Sequence, residues 1–214
     1  MGIPEQASHT WYEYRTWNDG TRHELIDGEV YDMTPAPRPW HQATVLGLAG
    51  ALRDFFKGKK CRPFVAPTDV KLSEYDVVQP DLFVVCDPAQ IKSTHIEGAP
   101  ALVVEVLSPS TLLHDRLLKM KLYAHFGVKE LWLATPYPSS VELFLLANGK
   151  YVLEAAFAKT ETLASPSFPG LAIPLAEVFD FPIPPEERIE EVRECAMPYG
   201  TTPGAGVAAA SAES

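Results

Sequence analysis

No stretch of this sequence approaches the ~18 uncharged apolar residues of a membrane span, and Met1 to Trp11 has neither the basic nor the apolar segment of a secretory signal. No membrane association is expected, and a cytoplasmic location is the reading that follows. Basic residues are also scarce: 18 Lys and Arg stand against 28 Asp and Glu, a formal net charge of −10. Proteins that hold nucleic acid by bulk charge do so with Lys and Arg on phosphates, so that class is disfavoured, although a locally basic groove is not excluded. Cysteine is limited to Cys61, Cys86 and Cys195, scattered and odd in number, without the close pairs of zinc sites or disulfide frameworks. The three are read as reduced and mostly buried. There is no internal repeat.

What the chain does have is length and apolar content for one core: 214 residues, 46% hydrophobic and 21% charged, fit a single folded domain. Proline parses it, because a fixed φ and a missing N–H keep it out of helix interiors and central strands. Four long proline-free runs remain, 5–34, 40–62, 110–135 and 139–165. In the first, Thr10-x-x-Glu13 is a capping box that starts a short helix through Tyr14 and Trp17. Segments 23–26 and 29–33 then flank Asp27-Gly28, a dipeptide suited to a tight hairpin turn. Val45, Leu46, Leu48, Ala49, Leu52, Phe55 and Phe56 recur with a helical period and predict a helix over 40–57. Strands are expected at 64–72, 77–86 and 101–107, a helix at 111–126, a strand at 130–135, and a hairpin of 141–146 and 151–157 around Asn148-Gly149. This order gives a mixed α/β or α+β sheet with helices on its faces. Residues 1–183 form the expected domain; 184–214, charged and then rich in Gly, Ala and Ser, read as a flexible tail.

The informative residues are carboxylates inside apolar strands. Asp81 precedes Leu82-Phe83-Val84-Val85, and Glu105 stands within Leu102-Val103-Val104-Glu105-Val106-Leu107. Burying a carboxylate costs several kcal/mol unless it is paired, hydrogen-bonded or metal-bound, so both need partners. The period of two puts Glu105 on the face of Val103 and Leu107. Two such carboxylates on neighbouring strands could meet on one Mg²⁺, a cation that takes one or two carboxylates plus waters and phosphate oxygens; solvated strand ends paired with lysine are the ordinary alternative. Asp115 and Lys119, four apart in the second helix, fit a surface ion pair at least as well as a catalytic group. Glu24 fits a polar strand position, and His41 a helix terminus.

Taken together, the strings His23-Glu24-Leu25-Ile26-Asp27-Gly28-Glu29-Val30, Val77-Val78-Gln79-Pro80-Asp81-Leu82 and Val103-Val104-Glu105-Val106-Leu107-Ser108-Pro109-Ser110-Thr111 resemble the Uma-type restriction-endonuclease family. Asp115-Arg116, Lys119, Tyr123 and Gly127-Val128-Lys129-Glu130-Leu131-Trp132 extend the likeness, which runs from about residue 10 to 180. The resemblance implies the PD-(D/E)xK nuclease-like superfamily: a restriction-endonuclease-like core of mixed sheet flanked by helices. By that match Asp81 and Glu105 are metal ligands, for Mg²⁺ or alternatively Mn²⁺, and Glu24 is the additional N-terminal acidic residue. The superfamily places a lysine two residues after the second acid; Leu107 stands there instead, and Lys119 on the following helix matches the family's relocated lysine. Ala134-Thr135-Pro136 departs from relatives that carry an aspartate before this proline.

The implied reaction is Mg²⁺-dependent phosphodiester hydrolysis by an endonuclease, with DNA the first candidate substrate. Asp81, Glu105, Lys119 and Glu24 would be catalytic, and Ser108, Lys121 and Arg116 would contact substrate, with Lys71 a further phosphate candidate. Fold analogy points to a homodimer. Two alternatives stay open: an inactive nuclease-like fold serving as a nucleic-acid-binding or protein-interaction module, which Leu107 and the acidic charge favour, and a metal-dependent hydrolase of small phosphoesters.

Overall fold

A computed structural model describes residues 8–33, 36–108 and 114–182, without the side chains of 114–116. Residues 1–181 cluster as one compact unit; the expected tail lies outside the described residues. In chain order the elements are α1 (Trp11–Tyr14), β1 (His23–Ile26), β2 (Glu29–Asp32), α2 (Pro39–Phe56), β3 (Arg62–Val65), β4 (Val70–Lys71), β5 (Val77–Val78), β6 (Leu82–Val85), β7 (Ile96–Glu97), β8 (Leu102–Val106), a π-helical turn (His114–Lys119) running into α3 (Met120–His125), β9 (Glu130–Thr135), β10 (Ser140–Ala147), β11 (Lys150–Ala158), β12 (Thr162–Ala164), β13 (Ala172–Pro174) and α4 (Leu175–Val178).

A six-stranded sheet in the order β11-β10-β9-β8-β6-β3 carries the core. Its β8–β9 pair is parallel and its other pairs are antiparallel, so the sheet is mixed as expected. Strand alternation divides its side chains between two layers. Leu82, Val84, Leu102, Val104 and Trp132 pack with Val45, Leu48, Leu52 and Phe56 of α2. Phe83, Val85, Val103, Leu131 and Leu133 pack with Leu122 and Tyr123 of α3. Glu105 belongs by parity to the α3 side, as the period predicts.

Both tight turns have the geometry their dipeptides demand. Asp27 and Gly28 have φ of 54° and 75°, and Asn148 and Gly149 have 52° and 75°, the double left-handed conformation of a type I′ hairpin. The Thr10–Glu13 capping box is present, but α1 ends at Tyr14.

Three expectations need correction. The strand read at 64–72 breaks into β3 and β4 around Pro67, which has no N–H to give to a ladder. The strand read at 77–86 divides at Pro80-Asp81, and its halves enter different sheets: β5 joins the five-stranded sheet β2-β1-β5-β4-β7, whereas β6 joins the six-stranded one. Cys61 and Cys86, expected to be reduced, form a disulfide. They continue the β3–β6 register one step beyond Arg62 opposite Val85, a proximity that their separation of 25 residues conceals. Cys195 lies outside the described residues. Among the described residues no helix is long and apolar enough to cross a membrane.

Two glycines of α2 test this packing. A Cβ on Gly47 would meet Val178 Cα at 3.0 Å and its carbonyl oxygen at 3.1 Å, whereas one on Gly50 meets nothing within 4 Å. Gly47→Val should therefore lower stability by about 1–3 kcal/mol through overpacking. Gly50→Ala should raise it by about 0.5–1 kcal/mol through helix propensity. Urea denaturation of the two variants checks both signs.

Candidate active site

The break at Pro80 leaves Asp81 just before β6, against the C-terminal end of β8. Asp81 Oδ2 accepts the Val106 N–H at 2.8 Å, and the Asp81 N–H points to Glu105 Oε2 at 3.4 Å. These two contacts fasten the two acids to each other's strands. His41 Nε2 lies 3.2 Å from the same Asp81 Oδ2. The other ring nitrogen, Nδ1, is buried with no hydrogen-bond partner among the described residues.

Glu105 is 2% exposed in a strand whose five residues are all buried. Its Oε1 accepts the Tyr123 hydroxyl at 2.5 Å and faces Lys119 Nζ at 3.3 Å. Lys119 and Tyr123 are four residues apart, one on the π-helical turn and one on α3, so a single helical face delivers both to this oxygen. Lys119 is itself only 4% exposed, and its ammonium also lies 3.0 Å from Glu24 Oε1. Glu24, 2% exposed on β1, additionally accepts the Gln79 N–H at 2.8 Å. Lys119 is thus an internal cation between two carboxylates rather than half of a surface pair.

The structure brings Asp81, Glu105, Lys119 and Glu24 together. Ser108 lies just past the end of β8, half-buried, while Lys121 is exposed. The Arg116 side chain lies outside the described residues. Lys71 stands in the five-stranded sheet, 3.4 Å from Glu97 and 3.6 Å from Glu74. Sequence reasoning missed His41 and Tyr123 as site neighbours. The signal for His41 was present: it lies one turn before Val45 on the stripe of α2 that is buried at Val45, Leu48, Leu52 and Phe56.

Burial of a carboxylate does not by itself mark this site. Glu130 is fully buried too, yet it accepts Trp132 Nε1–H at 2.7 Å, the Ser165 hydroxyl at 2.8 Å and the Ser167 N–H at 3.0 Å. Those neutral donors tie β9 to the loop after β12 and account for it structurally. Glu24 and Glu105 instead share an ammonium, which sets them apart.

Removing one partner of a buried ion pair leaves an uncompensated charge, at a typical cost of about 3–5 kcal/mol. Lys119→Met should show a loss of that size at pH 7 in chemical denaturation, and adding Glu24→Gln should restore part of it. An effect below about 1 kcal/mol would contradict the buried triad. Tyr123→Phe, which removes one donor to Glu105, should cost about 1–3 kcal/mol.

Comparison with known proteins places this architecture. The Uma2 family profile, described as "Putative restriction endonuclease", matches residues 11–176. A curated protein of Synechocystis sp., "Uncharacterized protein slr1290", is 36% identical over 118 residues, covering 53% of this chain and 60% of that protein. A solved structure from Anabaena variabilis, described as a "putative nuclease belonging to DUF820", superposes with a TM-score of 0.65 at 18% identity, over 79% of this chain and 97% of that one. At that identity the likeness shows a shared fold, that of a restriction-endonuclease-like core. The match over residues 11–176 establishes that the chain belongs to the Uma2 family of restriction-endonuclease-like proteins.

Proposed function

We propose that this protein is a metal-dependent endonuclease that hydrolyses phosphodiester bonds of nucleic acid, with DNA as its substrate. The observation that carries the reading is the sharing of one buried ammonium, Lys119, by Glu24 and Glu105 next to Asp81. Among the described residues three carboxylates face one lysine, a balance that suits a divalent cation.

The donor set suits Mg²⁺, with Mn²⁺ as a substitute. Mg²⁺ needs only one or two carboxylates and completes its octahedron with waters and phosphate oxygens. Among the described residues Asp81 Oδ1 accepts no hydrogen bond, and its side chain is 20% exposed, so this oxygen is open to a ligand. Glu105, whose Oε2 lies 3.4 Å from the Asp81 N–H, would be the second carboxylate to hold the cation. No group of three His, Cys, Asp or Glu is assembled as a metal cage among the described residues, so the proposed site is a two-carboxylate one. When bound, such a cation would supply a more acidic water and polarisation of a phosphoryl oxygen.

The chain's own residues supply the rest. His41 and the Val106 N–H hold the Asp81 carboxylate in place, and Tyr123 fixes Glu105. Lys119 would stabilise negative charge developing on the phosphate or orient the attacking water, in the role that Leu107 cannot fill. Glu24 holds Lys119 in position and is the candidate proton acceptor. Ser108, Lys121 and Arg116 are the proposed substrate contacts, and cutting both strands of a duplex would be served by a homodimer.

The test is cleavage of labelled single- and double-stranded DNA and RNA in Mg²⁺ or Mn²⁺. Cleavage should vanish with EDTA and fall by at least about 10²-fold in Asp81→Asn and in Lys119→Met, as expected when a principal electrostatic group is lost. Variants that stay folded and retain full activity would overturn the site. Absence of cleavage together with absence of Mg²⁺ or Mn²⁺ binding in calorimetry would favour the inactive, interaction-module reading.

A further inference from the structure

Gln79 gives its N–H to Glu24, but its side chain belongs to a second polar cluster on the other side of the backbone. Its Oε1 accepts Arg22 Nε at 2.9 Å, and its Nε2 donates to Asp69 Oδ1 at 2.8 Å and to the Tyr14 hydroxyl at 3.2 Å. Tyr14 in turn donates to the same Asp69 Oδ1 at 2.8 Å. Burial, reinforced by the Asp69 carboxylate, holds the Tyr14 phenol well above the usual tyrosine range, so it stays a donor. Gln79 is saturated and Asp69 is clamped by one oxygen. Its other oxygen, Oδ2, accepts no hydrogen bond among the described residues.

Asp69 and Gln79 line an open groove of about 340 Å³, within the size range of small-ligand sites. Its lining is mixed and mostly polar, with Thr68, Ser93, Thr94 and His95 beside two apolar side chains: Phe64, whose ring stacks on Phe83 with centroids 5.6 Å apart, and Ile91, 40% exposed. Lys92 also lines it and is exposed. The groove adjoins the proposed active site through the backbone. Gln79 is two residues before Asp81, and the Ala66 N–H, next to lining residue Pro67, donates to the Asp81 carbonyl at 3.1 Å.

A lining that sets Phe64 and Ile91 beside a fixed carboxylate and other polar groups suits a ring that presents a hydrogen-bond donor, not a phosphate, which a carboxylate repels. We propose that this groove binds a nucleobase of the substrate strand beside the cleaved bond, that Asp69 Oδ2 accepts from its exocyclic amino group, and that cytosine, adenine and guanine are therefore preferred over thymine or uracil. Carboxylates accept from amino edges of bases in this way. Thymine and uracil lack an exocyclic amino group and offer only the ring N3–H, flanked by two carbonyl oxygens that the carboxylate repels. Lys92 at the groove would meet a neighbouring phosphate, positioning the strand without reading its sequence. The inference rests on the nuclease reading for its substrate, but not for its test.

Cleavage of an oligonucleotide library randomised around the cut should show thymine depleted roughly ten-fold at one fixed position. The bias should disappear in Asp69→Asn, whose amide can keep the Tyr14 and Gln79 bonds while replacing the free acceptor by a donor. A second arm leaves the protein unchanged: purine in place of adenine, or 2-pyrimidinone in place of cytosine, should be cut as poorly as thymine at that position. No bias in the wild type, an identical bias in Asp69→Asn, or full cleavage of the amino-deleted analogues would overturn the subsite. If the wild type cuts nothing, the nuclease reading fails, and calorimetric titration with dCMP, dAMP and dTMP decides the subsite alone. Tighter dCMP and dAMP binding, equalised with dTMP in Asp69→Asn, supports it; equal or absent binding of all three overturns it.

Discussion

One buried ammonium organises the functional half of this molecule. Lys119 reaches from the π-helical turn onto the six-stranded sheet and meets Glu105 of β8 and Glu24 of β1. None of the three charges has more than a few per cent of its residue surface in water, so each depends on the others for compensation. The contact joins a helix, the central sheet and the five-stranded sheet at one point. The division of the chain at Pro80, which sends β5 to one sheet and β6 to the other, places Asp81 at this junction. Fold and site are one constraint seen twice: the place where the sheets part is where charge collects.

Buried polarity serves two distinct ends here. Glu130 is surrounded by neutral donors and holds a loop to β9. Asp81 has an oxygen without a partner among the described residues and a partly exposed side chain, and His41 beside it carries a buried nitrogen with no partner there. A structural carboxylate is saturated, whereas a reactive one keeps capacity for a ligand. Asp69 lines a groove, clamped through one oxygen while the other accepts no hydrogen bond among the described residues, and repeats that pattern at a second place.

Much of this was legible in the sequence because it depends on local rules. The Asp27-Gly28 and Asn148-Gly149 turns follow from positive φ, α2 from its apolar period, and the side taken by Glu105 from strand alternation. Asp81 and Glu105 declared themselves because carboxylates in apolar runs demand an explanation. Glu24 did not, since its partner strand β2 is largely exposed and its contacts with the Gln79 N–H and Lys119 join residues distant in sequence. The Cys61–Cys86 bond was illegible for the same reason: the β3–β6 register creates it, and nothing in either neighbourhood signals it. β7, β12, β13 and α4 are too short for a periodic pattern to emerge.

The central claim is that Asp81 and Glu105 form a divalent-cation site beside Lys119. Anomalous diffraction from crystals of the protein grown in Mn²⁺ tests it most directly. The account predicts one manganese peak beside the carboxylates of Asp81 and Glu105, with Lys119 still between Glu24 and Glu105. A manganese peak elsewhere, or none at saturating metal, would contradict it.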